Sequence, residues 1–121
     1  MLALAETLLF FVALVHGTAM LIQMNYWDWL MRVTGAPRII RERAPLRRLL
    51  GSQGLHNGFI AAGLLWGIFN SDPDLGLQVQ FFFGGFVAIL GLYNGLNAQS
   101  NAPLTLQFLP AFLAIVLIIL A

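Results

Sequence analysis

The sequence predicts an all-α membrane protein, a single domain (residues 1–121) built as a bundle of four transmembrane helices, and three observations carry that prediction. Of 121 residues, 60% are hydrophobic and only 9% are charged, against roughly a quarter charged in an ordinary soluble domain. The uncharged residues fall into runs of the length a helix needs to cross a bilayer, about 20 residues each. All six cations are Arg, and all lie between Arg32 and Arg48 in one connecting segment.

The first run, from Thr7 to Trp27, is rich in Leu, Phe, Val, Ala and Met and places a first span at residues 3–25. Tyr26, Trp27 and Trp29 follow it, and amphipathic aromatics at the end of an apolar run mark the headgroup level. The first Lys or Arg of the chain is Arg32, so the run lacks the basic start of a signal peptide and is expected to be retained. Residues 28–50, with Pro37, Pro45, Glu42 and the arginines, read as the one long loop.

Leu49 to Ser71 is again free of charge and gives a second span at 50–69, with Pro45 suited to a first helical turn because its missing N–H is not needed there. Asn70, Ser71, Asp72, Pro73 and Asp74 form a short acidic turn. Beyond Asp74 there is no further charge, and the polar stretch from Asn97 to Pro103 divides the remainder into spans at 77–97 and 103–121. Pro110 lies inside the last and predicts a kink.

Cytoplasmic loops carry the Lys and Arg excess. Residues 28–50 are therefore expected in the cytoplasm and both termini outside. Arg41, Arg43, Arg47 and Arg48 are the candidates for contact with lipid headgroups, each worth about 1 kcal/mol near an anionic surface. So short a basic stretch between apolar runs does not suit nucleic acid. The absence of cysteine excludes disulfides, thiolate metal sites and cysteine nucleophiles.

Ordered by depth, the polar residues of the spans gather toward the cytoplasmic side, while the outer half reads as hydrocarbon apart from Glu6. His16 lies near the middle of span one, with Gln23 on the same face. Gln53, His56 and Asn57 share one face of span two by their i, i+3, i+4 spacing. Tyr93 and Asn94 end span three, and Gln107 begins span four. These eight residues are the candidate ligand-binding set. Two readings stay open: interhelical hydrogen bonding, or a polar pocket with His16 as its roof. Metal or haem ligation by His16 and His56 is disfavoured by their difference in depth and the lack of a carboxylate beside them. No cofactor follows from the residues.

Gly54-Leu55-His56-Asn57-Gly58 and Gly91-Leu92-Tyr93-Asn94-Gly95 are near-copies, each with the Gly-x-x-x-Gly spacing that permits close helix approach. Their similar depth on adjacent antiparallel spans leads to the expectation that the two pentads pack on each other.

His16 followed by Gln23 and Trp27, the run QGLxNGFIAAGL from Gln53, and Gln107 with Leu109, Pro110 and Ala111 together resemble a family of small bacterial four-span membrane proteins catalogued as a domain of unknown function. The resemblance covers nearly the whole chain. It implies four helices and a place in the bacterial inner membrane, and supplies no activity. In the pattern it resembles, Glu stands at the position of Gln23 and Tyr at that of His56.

Three functions of different kind fit. One is a ligand-binding membrane protein or oligomeric transporter subunit using the polar cluster; a private water-lined path in so small a chain would need at least a dimer. The second is an accessory subunit of a larger membrane complex. The third is an enzyme on a lipophilic substrate, with His56 or His16 as base and Asn57 or Asn94 as oxyanion donors. The expected partners are membrane lipid and either further copies of the chain or a membrane complex.

Overall fold

The computed structural model describes residues 1–33, 35 and 44–121, and among them the chain is all-helical. The helices are α1 (Leu2–Asn25), α2 (Trp27–Val33), α3 (Ala44–Ile68), α4 (Pro73–Asn97) and α5 (Leu109–Leu120), the last entered through a π-helical stretch, Leu104–Phe108. Helix extends into the Arg-rich segment from both sides. Arg47 and Arg48 thus lie on the first turns of α3, with Pro45 at its start. Arg41 and Arg43 lie outside the described residues.

Helix α1 packs on α3 and α5, and α4 packs on α3, on the π stretch and on α5, which closes a ring of four long helical segments. Its centre follows from a helical stripe on α1: Ala5, Leu9, Val12, Ala13 and His16 are buried and recur at helical spacing. Leu9 and Val12 meet a core of Ile60, Ala61 and Leu64 from α3, Val87 from α4, and Ala111 and Ala114 from α5.

The α3–α4 turn is built by its own polar side chains. Asn70 Oδ1 accepts from the Asp72 N–H at 2.9 Å, and Asp72 caps α4 by accepting from the N–H groups of Asp74 at 3.1 Å and Leu75 at 3.4 Å. Pro73 sits in the first turn, where its missing donor costs nothing.

Two helices, Leu2–Asn25 and Pro73–Asn97, are long and apolar enough to cross a membrane. Helix α3 has the length, and Gln53, His56 and Asn57 lower its hydropathy. Leu104–Leu120 is a shorter apolar helix.

The glycine pentads do not pack on each other. A Cβ on Gly54 would come within 2.7 Å of Met24 and 3.2 Å of Gln23, and one on Gly58 would meet Met20, all on α1; one on Gly91 would meet Phe108 and Gln107, and one on Gly95 would meet Leu104. Each pentad therefore faces an outer neighbour, α1 or the π stretch. The close contact of α3 with α4 lies at the other end, where Cβ atoms on Gly67 and Gly76 would meet Gln80 N at 3.0 Å and Gly67 O at 2.7 Å. Gly-x-x-x-Gly spacing marks a face for close approach without naming its partner.

The same end corrects a second expectation. The half read as hydrocarbon apart from Glu6 also holds Gln80, only 2% exposed. Its Nε2 donates to Gly67 O at 3.1 Å and to Glu6 Oε1 at 3.4 Å, tying α4 to α3 and α1.

Candidate functional site

From the contact at Gly67 and Gly76, α3 and α4 separate. At Gly63 the Phe83 ring stands where a Cβ would go. Beyond Ile60 and Leu90 a cleft of about 580 Å³ lies between the helices. Its polar lining is Gln23 from α1, Gln53, His56 and Asn57 from α3, Asn94 from α4, and Gln107 from the π stretch. Six of the eight candidate residues thus surround one space.

The close approaches at the pentads put two amide pairs in the wall. Gly54 and Gly58 bring α1 against α3, and there Asn57 Nδ2 donates to Gln23 Oε1 at 2.8 Å. Gly91 and Gly95 bring α4 against the π stretch, and there Asn94 Nδ2 approaches Gln107 Oε1 at 3.4 Å. In both near-copies the fourth residue, Asn, reaches a Gln on the neighbouring element.

His16 stands behind the second pair, 1% exposed. Its Nδ1 lies 2.9 Å from Val12 O. A carbonyl only accepts, so Nδ1 carries the proton and Nε2 is left to accept from Gln107 Nε2, 3.5 Å away. The orientation of the Gln107 amide suits both contacts, its oxygen toward Asn94 and its nitrogen toward His16. His16 therefore reaches the cleft through Gln107, with both ring nitrogens engaged.

The π turn is what holds Gln107 there. Pro110 has no N–H, and its ring crowds the carbonyl four residues back. The chain widens just before it, and the Leu109 N–H bonds to Leu104 O, five residues back. Where a kink is expected at Pro110, the structure has the π-helical stretch Leu104–Phe108 just before it.

Tyr93 is 67% exposed and does not line the cleft; its carbonyl accepts from Asn97 Nδ2 at 2.8 Å. Gln53 and His56 do line it and make no side-chain hydrogen bond among the described residues. The rest of the lining is apolar: Phe59 and Ile60 from α3, and Phe82, Phe83, Phe86 and Leu90 from α4. A search for polar groups misses these residues. The sequence signal for them is the pair Phe82 and Phe86, one helical turn apart on the face that α4 turns to the gap.

Arg47 lines a separate hollow of about 460 Å³ with Arg32, Tyr26 and Trp29, and Gln23 is common to both spaces. Among the described residues no group of three His, Cys, Asp or Glu side chains is placed to hold a metal ion.

Fold and site define a class, a small all-helical bundle with a carboxamide-lined cleft between two of its helices. The chain belongs to the family described as protein of unknown function (DUF1304), whose model matches residues 10–119 and so takes in every residue of the cleft. No curated protein and no solved structure matches the chain.

Proposed function

We propose that the protein is a multi-pass membrane protein of the bacterial inner membrane that binds a small ligand or lipid headgroup in the cleft from the cytoplasmic side. In this reading all four long helical segments cross the bilayer, both termini are outside, and the Arg-rich segment is cytoplasmic. The outward faces support it: Phe11 and Leu14 on α1, Ile89 and Leu92 on α4, and Phe112 and Leu113 on α5 are all exposed, an apolar coat that water would penalise. Tyr26, Trp29, Arg32 and Arg47 line one hollow, which in this reading lies at the cytoplasmic interface.

One observation carries the binding reading. Polar side chains from three helices and the π stretch converge on one space, and two of them, Gln53 and His56, make no side-chain hydrogen bond among the described residues. A purely structural or accessory subunit is the second reading, favoured by the Asn57–Gln23 and Asn94–Gln107 pairs, which join helices as interhelical hydrogen bonds do. Those pairs leave Gln53 and His56 unused.

Single cysteines in this cysteine-free chain test both parts. Gly51 tolerates one, because nothing lies within 4 Å of its Cβ position, and Ser71 is exposed in the opposite turn. An impermeant maleimide is expected to reach Gly51→Cys only from the cytoplasmic face and Ser71→Cys only from outside; the reverse pattern rejects the topology. Gln53→Cys is expected to react with a small water-soluble thiosulfonate, and an inert thiol there rejects an open cleft.

A further inference from the structure

Resting on the binding reading, we infer that the ligand is a single-chain amphiphile with an uncharged, hydrogen-bonding head, held with the head among the carboxamides and the chain leaving sideways between α3 and α4 over Phe82 and Phe86.

The head's chemistry follows from the lining. Among the described residues, the polar side of the cleft offers five carboxamides and one imidazole, with no carboxylate, Lys or Arg. A carboxamide presents both donors and acceptors, which suits hydroxyl and carbonyl groups. A charged head brought there would lose its hydration without meeting a carboxylate, Lys or Arg among the described residues. Of the described arginines, Arg32 and Arg47 line the neighbouring hollow instead.

The tail follows from what adjoins the cleft on either side. Toward the Asn97–Pro103 end, a hollow of about 480 Å³ shares Gln53, Asn94 and Gln107 with it and is bounded by Asn97, Ala98 and Pro103. That approach is mixed, with Val15 and Leu106 beside the amides. On the other side an almost wholly apolar furrow of about 700 Å³ on α4 shares Phe82 and Phe86 with the cleft and continues along Leu77, Phe81, Gly85 and Ile89. A small polar molecule would have no use for a phenylalanine wall that opens sideways. A two-chain phospholipid would place a charged phosphate among carboxamides. One uncharged head with one chain uses the polar end, the Phe wall and the furrow together. In a bilayer the chain is already in hydrocarbon, so it aligns and concentrates the ligand while the head supplies the preference.

The test uses the full-length protein in nanodiscs with a monoacylglycerol carrying a diazirine in its acyl chain. Illumination is expected to label Phe59, Phe82, Phe86 and Leu90 several-fold above Phe11 and Phe112, which face outward elsewhere. Excess monooleoylglycerol is expected to suppress that labelling, while lysophosphatidic acid of the same chain and free glycerol are not. Gln53→Leu and His56→Phe, which break no hydrogen bond among the described residues, are each expected to reduce labelling at Phe82 at least threefold. Equal labelling of all outward faces overturns the inference, as does equal competition by lysophosphatidic acid. Suppression by glycerol alone removes the tail and leaves the binding reading standing. Uniform labelling with a reactive thiol in Gln53→Cys rejects the amphiphile but keeps the open cleft; uniform labelling with an inert thiol rejects both.

Discussion

Asn57 donates to Gln23 across 2.8 Å, and this bond fixes the back wall of the cleft because it joins α3 to α1 where Gly54 and Gly58 have already removed side-chain bulk. Asn94 repeats the relationship with Gln107 at 3.4 Å. Two near-identical pentads thus do the same local work on opposite sides of one space. The shorter pair is expected to be the stronger, since donor–acceptor attraction weakens beyond about 3.2 Å.

A double-mutant cycle measures that coupling. Asn57→Leu and Gln23→Leu are each expected to cost about 0.5–2 kcal/mol in detergent unfolding, the range for interhelical polar contacts. The double variant is expected to cost less than the sum by about 0.5–1.5 kcal/mol. The cycle on Asn94 and Gln107 should give a smaller coupling. Additive losses at Asn57 and Gln23 would show that the two side chains do not stabilise the helix pair together.

Much of this was legible in the sequence, for physical reasons that differ by residue. The polar cluster was visible because Gln53, His56 and Asn57 share a helix face at i, i+3, i+4, and membrane-like runs make any polar residue conspicuous. The partners of the glycines were not visible, because spacing records which face is small and says nothing of which neighbour fills it. Gln80 is inconspicuous beside Phe81, Phe82 and Phe83; its burial depends on a three-helix contact among Glu6, Gly67 and Gln80 that no local pattern encodes. The apolar half of the cleft was hidden for the opposite reason, since a Phe facing a gap and a Phe facing lipid look alike in a sequence.

The glycines should differ according to what a methyl group would strike. At Gly91 and Gly76 the obstacles include backbone, Phe108 N and Gly67 O, whereas at Gly58 the obstacle is the flexible end of Met20. Gly91→Ala and Gly76→Ala are expected to destabilise by about 1–3 kcal/mol, the cost of overpacking a tight contact. Gly58→Ala should cost less, and Gly51→Ala, in open space, should stabilise by about 0.5–1 kcal/mol through helix propensity. Thermal unfolding of the four variants in one detergent gives the order; a Gly51→Ala loss as large as that of Gly91→Ala contradicts the packing described.

Pro110 and His16 are linked through the π turn, and that link gives the last prediction. Because Pro110 displaces the hydrogen-bonding pattern over Leu104–Phe108, Gln107 is turned toward His16 Nε2 while Val12 O holds the proton on Nδ1. Nitrogen NMR of His16 in the intact protein is therefore expected to show the neutral Nδ1–H form, with Nε2 shifted as an acceptor. Gln107→Leu removes the donor and should return the Nε2 signal toward that of an unbonded ring nitrogen while Nδ1 stays protonated. Pro110→Ala frees the stretch to close into an ordinary α-helix, which rotates Gln107 away and should produce the same Nε2 change with no loss of helix content. An Nε2–H form in the native protein, or a His16 signal indifferent to both substitutions, rules out the chain from Asn94 through Gln107 to His16.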